Sequence, residues 1–222
     1  MIEKPNRTFV FIWRSSLLFM ILWAQWIRFP ETQIWKHFVY YTNQTNLFGL
    51  FLCSWLLLAH FTPKISFPPT WLHAGVSFWL TTTMIVYWLL LFKRLTLIGG
   101  LTSTLFAGYV LHALAPTMML LDWLFFVPHG SLQLRHTLYW LSYPLCYCIL
   151  TFLRAELGPR LTENSRYPYP FMDLDWMQGT QVLLYMTTLA SGFLLLGLLM
   201  VGVDRLMGYV KRGHLKTTVK SS

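Results

Sequence analysis

Tyr41-Thr42-Asn43-Gln44-Thr45-Asn46 is a run of six residues that can all form hydrogen bonds, set inside the otherwise apolar stretch Phe38 to Leu58. That stretch is long enough to cross about 30 Å of hydrocarbon as a helix. Lipid offers hydrogen-bonding groups no partners, so these six side chains must face other helices or a wet cavity. The fold therefore reads as a bundle of membrane helices packed around at least one polar interior.

The rest of the chain agrees. Of its 222 residues, 55% are hydrophobic and only 11% charged, where soluble domains carry about 25% charged residues. Trp and Tyr gather near the ends of apolar runs, as in interfacial belts. Six spans follow: Phe9–Phe29, Phe38–Leu58, Val76–Phe92, Thr104–Val127, His136–Leu153 and Gln178–Val203. The expected fold is all-α, a polytopic bundle of six transmembrane helices over 9–203, with an N-terminal tail (1–8) and a basic C-terminal tail (204–222) that is unstructured beyond Gly213. The first span is too long for a signal-peptide core, contains Arg14, and ends Trp26-Ile27-Arg28-Phe29-Pro30 rather than at small residues.

The formal net charge of +9 does not indicate nucleic acid, for which no motif is present. The basic residues lie in loops and in the tail, where they set topology and meet anionic lipid. An even number of spans puts both termini on one side, and the basic tail makes that side cytoplasmic; Lys93-Arg94 argues the other way.

Helical spacing groups the polar residues into stripes. Thr42, Thr45, Asn46, Gly49 and Cys53 form one; Gly108, His112 and Pro116 a second; Gln181, Tyr185, Thr188 and Gly192 a third. The second, fourth and sixth spans run in the same direction. At a rise of about 1.5 Å per residue, Thr42, Thr45 and His112 reach similar depths. Three stripes at one depth predict a shared pocket open to one membrane face. The loop Arg154 to Met177, with Tyr167-Pro168-Tyr169-Pro170-Phe171, lies at that face as a stiff interfacial segment or lid.

An ionisable residue within a span marks a functional site, which singles out His112. A threonine hydroxyl attacks only after a base takes its proton, and a neutral histidine serves as that base. Thr42 or Thr45 with His112 supplies both parts, and amides from Asn43, Gln44, Asn46 or Gln181 supply an oxyanion site. The competing reading is helix-bridging glue, a common use of Thr, Asn and Gln between membrane helices. Arg14 and Asp122 lie at matching depths near the opposite face and read as a structural ion pair. His37, His60, His73, His129, His136 and His214 read as interfacial or loop residues. No histidine pair has metal-ligand spacing, Cys146 and Cys148 would point to opposite helix faces, and no metal or cofactor is expected. The sequon Asn43-Gln44-Thr45 lies too close to the bilayer to be glycosylated.

The ordered set Tyr41-Thr42-Asn43-Gln44-Thr45-Asn46-Leu47, His112-Ala-Leu-Ala-Pro116, Asp122-Trp123 and Tyr167-Pro168-Tyr169-Pro170-Phe171 resembles a family of small bacterial multipass membrane proteins. That family is similar to the animal androgen-induced gene 1 and androgen-dependent TFPI-regulating proteins, and the resemblance covers all six spans. It implies a cell-membrane hydrolase of fatty acyl esters, with an intramembrane threonine and a histidine and with membrane lipid as surroundings and substrate source. The histidine corresponds to His112. Thr42 matches by its preceding aromatics, and Thr45 remains the alternative; Asn46 stands where the animal proteins have Asp. A small-molecule transporter and a non-catalytic scaffold or lipid binder are the rival functional classes. Nothing in the sequence fixes the oligomeric state.

Overall fold

The computed structural model describes residues 6–29, 34–92 and 102–220, with side chains described to 213. The chain is an all-α membrane bundle. Its helices are α1 (Arg7–Arg28), a short α2 (Ile34–His37), α3 (Tyr41–Phe61), α4 (Thr70–Leu91), α5 (Ser103–Phe126), α6 (Leu134–Leu157) and α7 (Gly179–Lys220). Among the described residues, α1, α3, α4, α5 and α7 are long and apolar enough to cross a membrane. The sixth expected span, His136–Leu153, lies in α6. That helix falls short of the others in apolarity, although Leu138, Leu145, Ile149 and Leu150 are exposed along it. Nevertheless α6 runs through the depth of the bundle. Trp140 Nε1 donates to the Trp71 carbonyl at one end, and the Tyr147 hydroxyl donates to the Val39 carbonyl at the other.

Two boundaries differ from expectation. Helix α4 begins at Thr70 rather than Val76, directly after Pro69, because proline is pre-shaped for a helix start and its missing N–H costs nothing there. His73, expected at an interface, therefore sits inside a helix and is buried. The last helix does not stop at Val203 to leave a tail. It continues to Lys220 because contacts beyond Val203 hold it. Asp204 is buried, accepting hydrogen bonds from Leu132 N and from His129 Nδ1. Gly208 passes so close to Gly130 that any side chain there would collide with backbone. Lys93 and Arg94, used in the topology argument, lie outside the described residues.

Each long helix buries a stripe. On α1 it is Val10, Arg14, Leu17, Ile21 and Ala24, at the three-to-four spacing of one helix face. Leu17, Ile21 and Ala24 pack with Leu52, Leu56, Leu80 and Leu111 in the core shared by α1, α3, α4 and α5. A second core joins α4 through α7 around Phe78, Trp123, Trp140 and Val201. A third seals Tyr167, Phe171 and Met172 of the long loop onto α6 and α7. That last core fixes the loop over one end of the bundle, the end where α3 starts and α4 finishes.

Candidate functional site

At that end α3 and α5 meet through Thr42 and His112. Thr42 Oγ1 lies 3.0 Å from His112 Nε2, and both residues are buried. The other ring nitrogen, Nδ1, lies 2.7 Å from the Gly108 carbonyl oxygen. A carbonyl can only accept, so Nδ1 carries the proton and Nε2 presents a lone pair. The Thr42 hydroxyl therefore donates to Nε2, the orientation in which an imidazole can act as a base toward a hydroxyl.

The local backbone explains how His112 comes to point there. Pro116 has no N–H, so the helical ladder cannot run regularly through this turn. Instead Val110–Leu114 forms a wider π turn, closed by Ala115 N–H donating to the Val110 carbonyl. Helix α4 has a matching π turn, Tyr87–Leu91. The rings carried by the two wide turns stack, Tyr87 on His112, with centroids 4.1 Å apart. Such turns recur at functional sites because they re-aim side chains out of the regular helical register.

Thr42 is held as firmly as the imidazole. Its carbonyl accepts from Asn46 Nδ2 at 2.9 Å and from Thr45 Oγ1 at 3.1 Å. Asn46 Nδ2 also donates to the Leu111 carbonyl, which ties α3 to α5 one residue before His112. Thr45 turns toward α4 instead, where its hydroxyl meets Thr83 Oγ1 at 2.9 Å. It has no hydrogen bond to His112 and does not line the cavity that Thr42 borders.

The amides expected to form an oxyanion site point elsewhere. Asn43 Nδ2 donates to the His37 carbonyl, and Gln25 Nε2 donates to the Asn43 carbonyl. Gln44 Nε2 donates to the Phe38 carbonyl, while its Oε1 accepts from the Tyr143 hydroxyl. Gln181 is exposed, and its Oε1 accepts from Gln178 N. Gln181, Tyr185, Thr188 and Gly192 are all exposed, and none of them lines the cavity at Thr42. The inner face of α7 is apolar here, with Met186, Leu189 and Phe193.

What approaches the threonine instead is Tyr169 from the long loop. Its phenol approaches the Thr42 side chain and the backbone amides of Tyr41 and Thr42. These are first-turn amides of α3, which have no partner within the helix. Burial raises the Tyr169 pKa, and the contacts with Thr42 and Tyr41 work in the opposite direction. The net rise keeps the phenol protonated near neutral pH. Sequence reasoning found the loop but not this residue's role. Thr81-Thr82-Thr83 was also missed, although a hydroxyl triplet inside an apolar run is itself a signal. Thr82 bonds the Tyr41 hydroxyl at 3.2 Å, and Thr83 bonds Thr45.

Thr42, His112, Tyr87 and Tyr169 line a cavity of about 380 Å³, within the usual size range of small-molecule sites. Its other walls are largely apolar, including Leu91, Leu145, Met172, Met186, Leu189 and Phe193. The group is thus a hydroxyl paired with an imidazole at the side of an oily hollow.

Arg14 and Asp122 also meet, near the opposite end of the bundle. Arg14 Nε and Nη2 donate to the two Asp122 oxygens at 3.0 and 3.1 Å, and His73 Nε2 stands 3.1 Å from Oδ2. None of the three lines the cavity. Among the described residues no group of three His, Cys, Asp or Glu is placed to hold a metal ion. Compared with protein-family models, curated proteins and solved structures, the chain matches none.

Proposed function

We propose that this membrane protein hydrolyses fatty acyl esters, with Thr42 as nucleophile and His112 as general base. The observation that carries the reading is the 3.0 Å contact from Thr42 Oγ1 to the lone-pair nitrogen of His112, at the wall of an apolar cavity. An acyl chain lies in the cavity with its ester carbonyl at Thr42. Oγ attacks the carbonyl carbon while Nε2 takes the hydroxyl proton. The amides of Tyr41 and Thr42 face the place where the oxyanion develops, once the Tyr169 oxygen moves aside. The ester C–O bond then breaks, and Nε2 returns its proton to the departing alcohol oxygen. Water attacks the acyl-threonine with Nε2 again as base, releasing the fatty acid and restoring the hydroxyl.

Membership of the bacterial family described above belongs to the same proposal. So do the sixth crossing by α6 and a cell-membrane location with both termini cytoplasmic, the orientation the basic C-terminal residues favour.

The test is turnover of a fluorogenic long-chain acyl ester by purified protein in neutral detergent. Thr42→Val and His112→Ala each lower turnover by about 10³-fold or more, and Thr45→Val keeps it within a few-fold. A fluorophosphonate probe attaches at Thr42, located by peptide mass spectrometry. Full turnover in folded Thr42→Val protein refutes the reading.

A further inference from the structure

Beside the apolar cavity lies a second hollow, of about 750 Å³, under the long loop. The two hollows share one wall. Phe171 lines both; Tyr40 faces the second and Tyr41 the first; Leu90 and Leu91 divide in the same way, as do Tyr185 and Met186. Aromatic contacts brace this wall. Tyr169 stacks on Phe171 with centroids 5.3 Å apart and meets Tyr40 edge-on at 6.0 Å.

The second hollow differs in chemistry from the first. It contains Asp173, only 5% exposed. The Asp173 carboxylate accepts hydrogen bonds from Ser165 Oγ at 2.5 Å and from Asp175 N at 2.9 Å. Among the described residues no basic group forms an ion pair with it. The nearby Arg166 is engaged by Glu156 and Asp175 instead. A carboxylate withdrawn from water without a counter-charge is costly, and a bound cation would relieve that cost. The aromatic residues Tyr40, Tyr167, Trp176 and Tyr185 line the same hollow, and aromatic faces attract ammonium groups. An anionic group would meet Asp173 with like charge.

We propose that this vestibule binds the ammonium-bearing head of an amphiphile whose hydrocarbon chain occupies the apolar cavity. The shared wall sets the boundary between the two parts, near Tyr169 and Thr42. This inference uses the cavity as a chain-binding site and does not depend on whether Thr42 reacts.

The test is lipid retention by the full chain in maltoside detergent, read by native mass spectrometry. The protein is offered equal amounts of lysophosphatidylcholine, lysophosphatidylethanolamine and lysophosphatidylglycerol of one chain length, and phosphocholine alone in a separate arm. The two ammonium-headed lipids are retained about tenfold over the glycerol-headed one, and phosphocholine alone is not retained. Asp173→Asn removes the preference. Because Asp173 also holds Ser165, Trp176→Leu at an exposed rim position provides a second variant, lowering the preference about threefold with unchanged thermal unfolding. Equal retention of all three lipids by the wild-type protein overturns the proposal. So does an undiminished preference in both folded variants, or retention of phosphocholine as strong as that of the lysolipid. Thr42→Val separates the two readings, since it abolishes hydrolysis and leaves the head-group preference intact.

Discussion

Replacing Arg14 with leucine removes one side of a charge pair that the bundle buries almost completely. Arg14 and Asp122 make two hydrogen bonds at 3.0 and 3.1 Å, and their side chains are 7% and 1% exposed. At 3.0 Å and an effective dielectric constant of about 20, the gross Coulomb attraction is about 5–6 kcal/mol. Desolvation of the two ions offsets much of that in the intact protein. In Arg14→Leu the offset persists for Asp122 while the attraction is gone, and only His73 Nε2 remains beside the carboxylate. The expected cost is about 3–5 kcal/mol.

Removing both charges has a different outcome. Arg14→Leu combined with Asp122→Leu leaves no buried ion, so the double variant is expected within about 1–2 kcal/mol of the parent. The assay is reversible unfolding in mixed micelles titrated with dodecyl sulfate, across the full cycle of single and double variants. Ester turnover of folded protein stays unchanged, because the cluster lies at the other end of the bundle from Thr42. Costs that simply add around the cycle, or a cost below about 1 kcal/mol for Arg14→Leu, refute the buried-pair account.

Gly75→Ala tests the α4–α6 contact. A β-carbon there would stand 2.8 Å from Trp140 Cδ1 and Nε1, and Trp140 is held by its bond to the Trp71 carbonyl. A cost of about 1–3 kcal/mol in the same unfolding assay is expected; no cost means the ring has room to move. His37 tests the loop between α1 and α3. Burial, then Arg28, lowers its pKa below the usual 6.5, while its ring donates to Gln25 Oε1. The unfolded chain therefore takes up the proton first as pH falls. Stability is fully present above pH 6.5 and declines from there toward the lower folded value. His37→Asn flattens that part of the stability-versus-pH curve, and an unchanged curve refutes the assignment.

Depth and helical period carried the sequence reading as far as Thr42 or Thr45 against His112 and Arg14 against Asp122. Both contacts join residues far apart in the chain, yet each needs only a rise per residue and a choice of face. The period failed where it could not say which way a face points. Gln181, Tyr185, Thr188 and Gly192 do share a face of α7, but it is not the face that borders the Thr42 cavity. Asn43, Gln44, Thr45 and Asn46 follow Thr42 directly, and a helix turns about 100° per residue. Adjacent polar side chains must therefore point in different directions, and four could not all converge on one hydroxyl. Tyr169 was beyond reach for another reason: it comes from a loop, where no periodicity exists to place it. His73 was misplaced because the start of α4 was read from the apolar run and not from Pro69.

The two buried polar centres of this bundle have opposite designs, and the contrast bears on what each does. Around Asp122 both carboxylate oxygens accept from the permanently charged Arg14, with His73 Nε2 3.1 Å away, and neither hollow reaches the group. Such a cluster holds α1, α4 and α5 together and has nothing to offer a ligand. Around Thr42 the permanent partners stop at the imidazole and the backbone carbonyl. The hydroxyl itself lines open space, and a tyrosine from a loop approaches it and the Tyr41 and Thr42 amides beside it. Within a membrane both arrangements satisfy the demand that polar groups find partners. Only the second leaves those partners exchangeable for a substrate's carbonyl, and that distinction is why the proposed chemistry is placed at Thr42 and a supporting role at Asp122.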